Sequence, residues 1–60
     1  MNVNKYLDYV KTTESNYAYF WAIETAFQLG AINSSEYDYR MKEWREIEDL
    51  QTQKLLENLK

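Results

Sequence analysis

Residues 29–37 read LGAINSSEY, and this stretch decides how the chain folds. Gly30 is the single glycine in 60 residues, and there is no proline. It is therefore the natural left-handed residue at which a helix stops. Asn33 can then cap a new helix while Glu36, three residues on, reaches back to it as a capping box. Ile32 before the cap and Tyr37 four residues after it are spaced for a hydrophobic staple. These signals agree on a tight turn at 30–33 between two antiparallel helices, an αα-hairpin. The fold class expected is all-α, a single helical-hairpin domain over 1–60 with helices at about 3–29 and 34–59.

Upstream of the turn, Val3, Leu7, Val10, Tyr17 and Trp21 recur on one helical face, with Tyr6 beside them. Within this arm KTTESN, residues 11–16, is weaker helix material, because Thr, Ser and Asn side chains compete for backbone hydrogen bonds. A break near residues 12–16 gives three helices, the first folding over the other two. The apolar face stays in phase across the segment, however, and phase favours one continuous first helix. Downstream, Tyr37, Met41, Trp44, Leu55 and Leu59 form the main stripe of the second arm. Glu48, Gln51 and Thr52 interrupt that stripe, so its middle is expected to be wet.

The stretch YAYFWAIETAFQLGAI, residues 17–32, is apolar on nearly every side, although the mean hydropathy of the chain is −0.76. One helical neighbour covers about one face of such a helix. Tyr17 and Trp21 take the face toward the hairpin, so Trp21, Met41 and Trp44 are assigned to the hairpin core. Tyr19, Phe20, Ile23 and Phe27 then need a second neighbour: a folded-back first helix, another copy of the chain or a foreign protein. Two hairpins sharing that surface as a homodimer make a four-helix bundle. Ala18, Ala22 and Ala26 form a small-residue strip that permits close helix approach. Glu24 is expected either to face solvent or to meet Arg40, Lys42 or Arg45.

Composition removes several functions. With no Cys and no His there is no disulfide framework, no zinc cluster and no histidine base. Ten acidic against seven basic side chains give a net charge of −3, which opposes direct nucleic-acid binding. The first residues lack a signal-peptide pattern, and the 16-residue apolar stretch is shorter than the ~20 residues that span a bilayer. A cytoplasmic protein without a membrane role is expected. Abundant Tyr, Asn and Lys with scarce Gly, Arg and Pro resembles usage in low-GC bacteria and their phages.

Two stretches invite a chemical reading. In EWREIEDL, Glu43, Glu46 and Asp49 recur every three residues with Glu48 beside them, a spacing that resembles the Mg²⁺-holding helices of all-helical nucleotide pyrophosphatases. Those enzymes need a second acidic motif on a facing helix. Asp8, Glu14 and Glu24 do not supply that spacing, so the run reads as a solvated face with pairs such as Lys42–Glu46. In YDYRMKEWR, residues 37–45, Arg40, Lys42 and Arg45 alternate with Tyr39 and Trp44 as in single-strand binders. Asp38, Glu43 and Glu46 cancel that positive potential. No catalytic residue, metal ligand or cofactor site is assigned.

The stretch LGAINSSEYDYRMKEW, residues 29–44, resembles the SHOCT-type short helical hairpin. Gly30, Ile32, Asn33, Glu36 and Tyr37 match its turn and cap, and Arg40 and Lys42 match the basic positions that follow. The resemblance implies a short bacterial or phage module appended to other proteins and assisting oligomerisation. It covers about a quarter of the chain; the second helix runs past the motif, and the first arm is longer and more aromatic.

Together these readings describe a non-enzymatic protein–protein interaction module, self-associating and binding a host or viral protein, in the manner of a phage or plasmid modulator or inhibitor. Tyr19, Phe20, Ile23 and Phe27 are the expected interface, with Tyr6, Tyr9 and Tyr39 at its rim. The alternative is an acidic inhibitor that mimics nucleic acid and is steered to its partner by charge.

Overall fold

The computed structural model describes residues 2–59 and, among them, contains helices and no strand. Three helices follow one another: α1 (Val3–Thr13), α2 (Asn16–Gln28) and α3 (Ser34–Asn58). Each begins at a polar cap. Asn2 Oδ1 accepts from Asn4 N at 2.9 Å, Ser15 Oγ from Ala18 N at 3.1 Å and Asn33 Oδ1 from Glu36 N at 2.8 Å.

The expected continuous first helix is therefore corrected to two. Ser15 takes an extended backbone and caps α2. On the other side of the break, Thr12 and Thr13 turn their hydroxyls back onto the Asp8 and Tyr9 carbonyls. The side-chain competition in KTTESN outweighs the apolar phase, because the break lets α1 fold back onto α2 and bury Leu7 and Val10 there. Once α1 folds back, its face no longer continues into Tyr17 and Trp21, which are 71% and 51% exposed.

After α2 the chain makes the turn read from residues 29–37. Gly30 has φ +75°, Gly30 N donates to the Phe27 carbonyl at 3.0 Å, and Ala31 N donates to the Ala26 carbonyl at 2.9 Å. This is a Schellman closure, and it satisfies the carbonyls at the end of α2. Ile32 is buried and Tyr37 packs on the same core.

α2 is the central helix, packed by α1 and by α3, while the α1 and α3 backbones stay apart. The bonds order the elements. Asn16 at the start of α2 meets Trp44 and Glu48, whereas Glu24 near its end meets Tyr37 at the start of α3. The core is Leu7, Val10, Tyr19, Ala22, Ile23, Ala26 and Ile32, with Val3, Tyr37, Met41, Trp44 and Ile47 packed around it. From Glu48 onward α3 has no buried or half-buried residue. It projects past the α1–α2 connection, which accounts for extents of 43 × 21 × 13 Å and a radius of gyration of 12.8 Å, against about 10 Å for a compact chain of this length.

Candidate functional site

The surface most unlike solvated protein lies between α1 and α2, on the side turned away from α3. Ala18, Ala22 and Ala26, one turn apart, leave a low floor that Val3 and Tyr6 flank from α1 and Trp21, Thr25 and Leu29 flank from α2. Ala31 closes the end at the turn, and the groove holds about 400 Å³. Its lining carries no carboxylate and no cation. Tyr6 is 45%, Trp21 51% and Leu29 79% exposed, so the groove walls are large apolar side chains standing in water. The alanine strip that lets α1 approach α2 thus also forms this floor.

A second apolar surface lies on the projecting end of α3. Leu50, Leu55, Leu56 and Leu59 are 57–81% exposed, and nothing among the described residues covers them. Gln51 and Thr52 are exposed there too, in agreement with a wet stripe.

The residues assigned to an interchain interface divide. Tyr19 and Ile23 are fully buried inside the chain, because the folded-back α1 supplies the second neighbour they need. Phe20 packs on Trp44 of α3 at 5.1 Å and on Trp21 at 5.8 Å, edge to face. Phe27, 39% exposed, stacks on Tyr37 at 4.3 Å. Trp21, assigned to the interior, instead forms a groove wall, with Tyr17 against its edge at 6.2 Å. Tyr9 and Tyr39 are 61% and 62% exposed and stand outside the groove lining. Met41 and Trp44 are half-buried, and the Trp44 indole N–H donates to the Asn16 carbonyl at 2.9 Å.

Between the helices runs a polar seam that composition does not reveal. Arg40, 7% exposed, donates from Nη1 to Asp8 Oδ1 at 2.8 Å and to the Tyr19 hydroxyl at 3.2 Å, and from Nη2 to Asn4 Oδ1 at 3.2 Å. Burial alone would lower the pKa of this guanidinium, but the bonds to Asp8 and Tyr19 outweigh burial and hold it above its ordinary value. Lys11 Nζ meets Glu43 Oε2 at 2.7 Å, and that bond raises the lysine. Glu24 accepts from the Tyr37 hydroxyl rather than from a cation, and the bond raises the Tyr37 pKa. Glu43 is thereby committed to Lys11, and Glu48 to Asn16. Among the described residues no cluster of acidic side chains is placed to hold a metal ion.

No helix among the described residues is long and apolar enough to cross a membrane. Comparison with protein-family models, with curated proteins and with solved structures finds no match to this chain.

Proposed function

We propose that this chain is a non-enzymatic protein-binding module that associates with itself and holds a protein partner through the aromatic surface of α1 and α2. The observation that carries this reading is the uncharged groove with Tyr6, Trp21 and Leu29 exposed on its walls. Exposed apolar surface costs solubility and stability unless something covers it, and a contiguous patch of this kind is the usual mark of an interaction site. Trp and Tyr supply large contact area at low entropic cost and dominate the energetics of such sites.

In this reading α2 and α3 are the helical hairpin of a SHOCT-like module, a role the residue 29–44 resemblance supports. α1 is an added helix that converts one flank of the hairpin into a groove. The setting is cytoplasmic, and the partner is a host protein modulated by a phage or plasmid product.

The test is retention from a bacterial lysate by the tethered chain, compared with a Trp21→Glu bait. A protein held by the unaltered chain, released by Trp21→Glu and insensitive to salt supports the reading. Equal retention by both baits overturns it, and steep loss of binding with rising salt points instead to the acidic nucleic-acid mimic.

A further inference from the structure

We infer that the groove between α1 and α2 is filled by the projecting end of α3 from a second copy of the chain, the two copies exchanging these ends reciprocally. The inference rests on the protein-binding reading and names its first occupant. The groove is long enough for the tail: its α2 side runs from Ala18 to Leu29, about 16 Å at 1.5 Å per residue, and α3 from Asp49 to Asn58 spans about 14 Å, with the leucines gathered in its last turns. The two surfaces match in chemistry as well. Leu55, Leu56 and Leu59 share an arc of about 100° on α3, and the groove they would enter contains no charge to desolvate.

Geometry forbids the contact within one chain, because α3 is continuous and leads away from its own groove past the α1–α2 connection. A second copy turned end for end, with the two connections abutting, brings each tail along the other's groove. Such an arrangement is two-fold and closed.

Area favours exchange over the alternatives. The groove walls and the three tail leucines together hold on the order of 500 Å² of exposed apolar side chain per copy. Reciprocal exchange covers both surfaces on both copies and reaches the ~1,000 Å² that specific interfaces require. Pairing tail to tail or groove to groove covers about half of that and leaves the rest in water.

The chain has no cysteine, so single cysteines report contacts cleanly. Thr25→Cys marks the groove edge, and Asn58→Cys marks the tail beside its leucines without removing them. Light scattering on the unaltered chain is expected to give twice the chain mass. A short bis-maleimide is expected to join the two variants when they are mixed, and to join neither variant to itself. Leu55→Glu/Leu59→Glu, altering side chains that are 64% and 81% exposed, should keep the helical circular dichroism and abolish both signals. A monomer, self-linking of Asn58→Cys or of Thr25→Cys, or a dimer that gives no mixed product overturns the exchange. A monomer that still loses its captured partner on Trp21→Glu leaves the protein-binding reading standing while this one falls.

Discussion

Arg40 donates to the hydroxyl of Tyr19 across the interior, the guanidinium 7% exposed and the tyrosine wholly buried. The same nitrogen holds Asp8 on α1, so one side chain of α3 fixes both of the other helices. The cost of disturbing this seam should follow burial, not formal charge. Arg40→Ala strands the Tyr19 hydroxyl and opens a cavity, and is expected to cost about 2–4 kcal/mol. Tyr19→Phe removes one bond at about 1 kcal/mol. Asp8, whose side chain is 65% exposed, is resolvated on losing its partner, and Asp8→Asn should cost less than about 1 kcal/mol. Urea unfolding of the three variants checks the order.

Ile23 and Trp21 sit two residues apart on α2 and answer to different environments. Ile23→Ala empties a fully buried site and is expected to lower stability by about 2–5 kcal/mol at every protein concentration. Trp21→Ala removes a groove wall, so under the proposed exchange between copies its effect on melting should grow with protein concentration.

The caps and the turn act locally. Asn33→Ala and Ser15→Ala should each cost about 1 kcal/mol. Gly30→Ala meets no atom within 4 Å of the added carbon, so its cost, about 1–2 kcal/mol, comes from the left-handed backbone alone. Thermal melts followed by circular dichroism measure all three.

Alkaline pH should loosen the fold. Lys11 and Tyr37 are both raised in the folded chain, Lys11 by its bond to Glu43 and Tyr37 by its bond to Glu24. A group raised on folding contributes fully below its unfolded pKa, and the contribution is lost as pH climbs through the folded value. Stability is expected to be level below about pH 9 and to fall above about pH 10. Tyr37→Phe should make that fall shallower, as pH-dependent melting would show.

Amide exchange reads the far end of α3. Residues 50–59 should be protected in the unaltered chain and exchange rapidly in Leu55→Glu/Leu59→Glu, while residues 34–47 keep their protection in both.

Local signals in the sequence determined the helical class, the turn at Gly30 and the start of α3 at Ser34, because a lone glycine and a capping asparagine act within a few residues of themselves. The same holds for the wet stretch of α3, where polar residues interrupt the stripe. Tertiary structure alone decided which side of α2 is inside. Periodicity states that two faces share a phase, not whether the chain between them stays straight, and the Ser15 cap breaks it. Folding α1 back carried Tyr19 and Ile23 inward, turned Trp21 out and left an alanine-floored groove. Arg40 carries no mark in the sequence of the partners it gathers, since Asn4, Asp8 and Tyr19 lie 21 to 36 positions away along the chain. Only packing brings them within reach of one guanidinium.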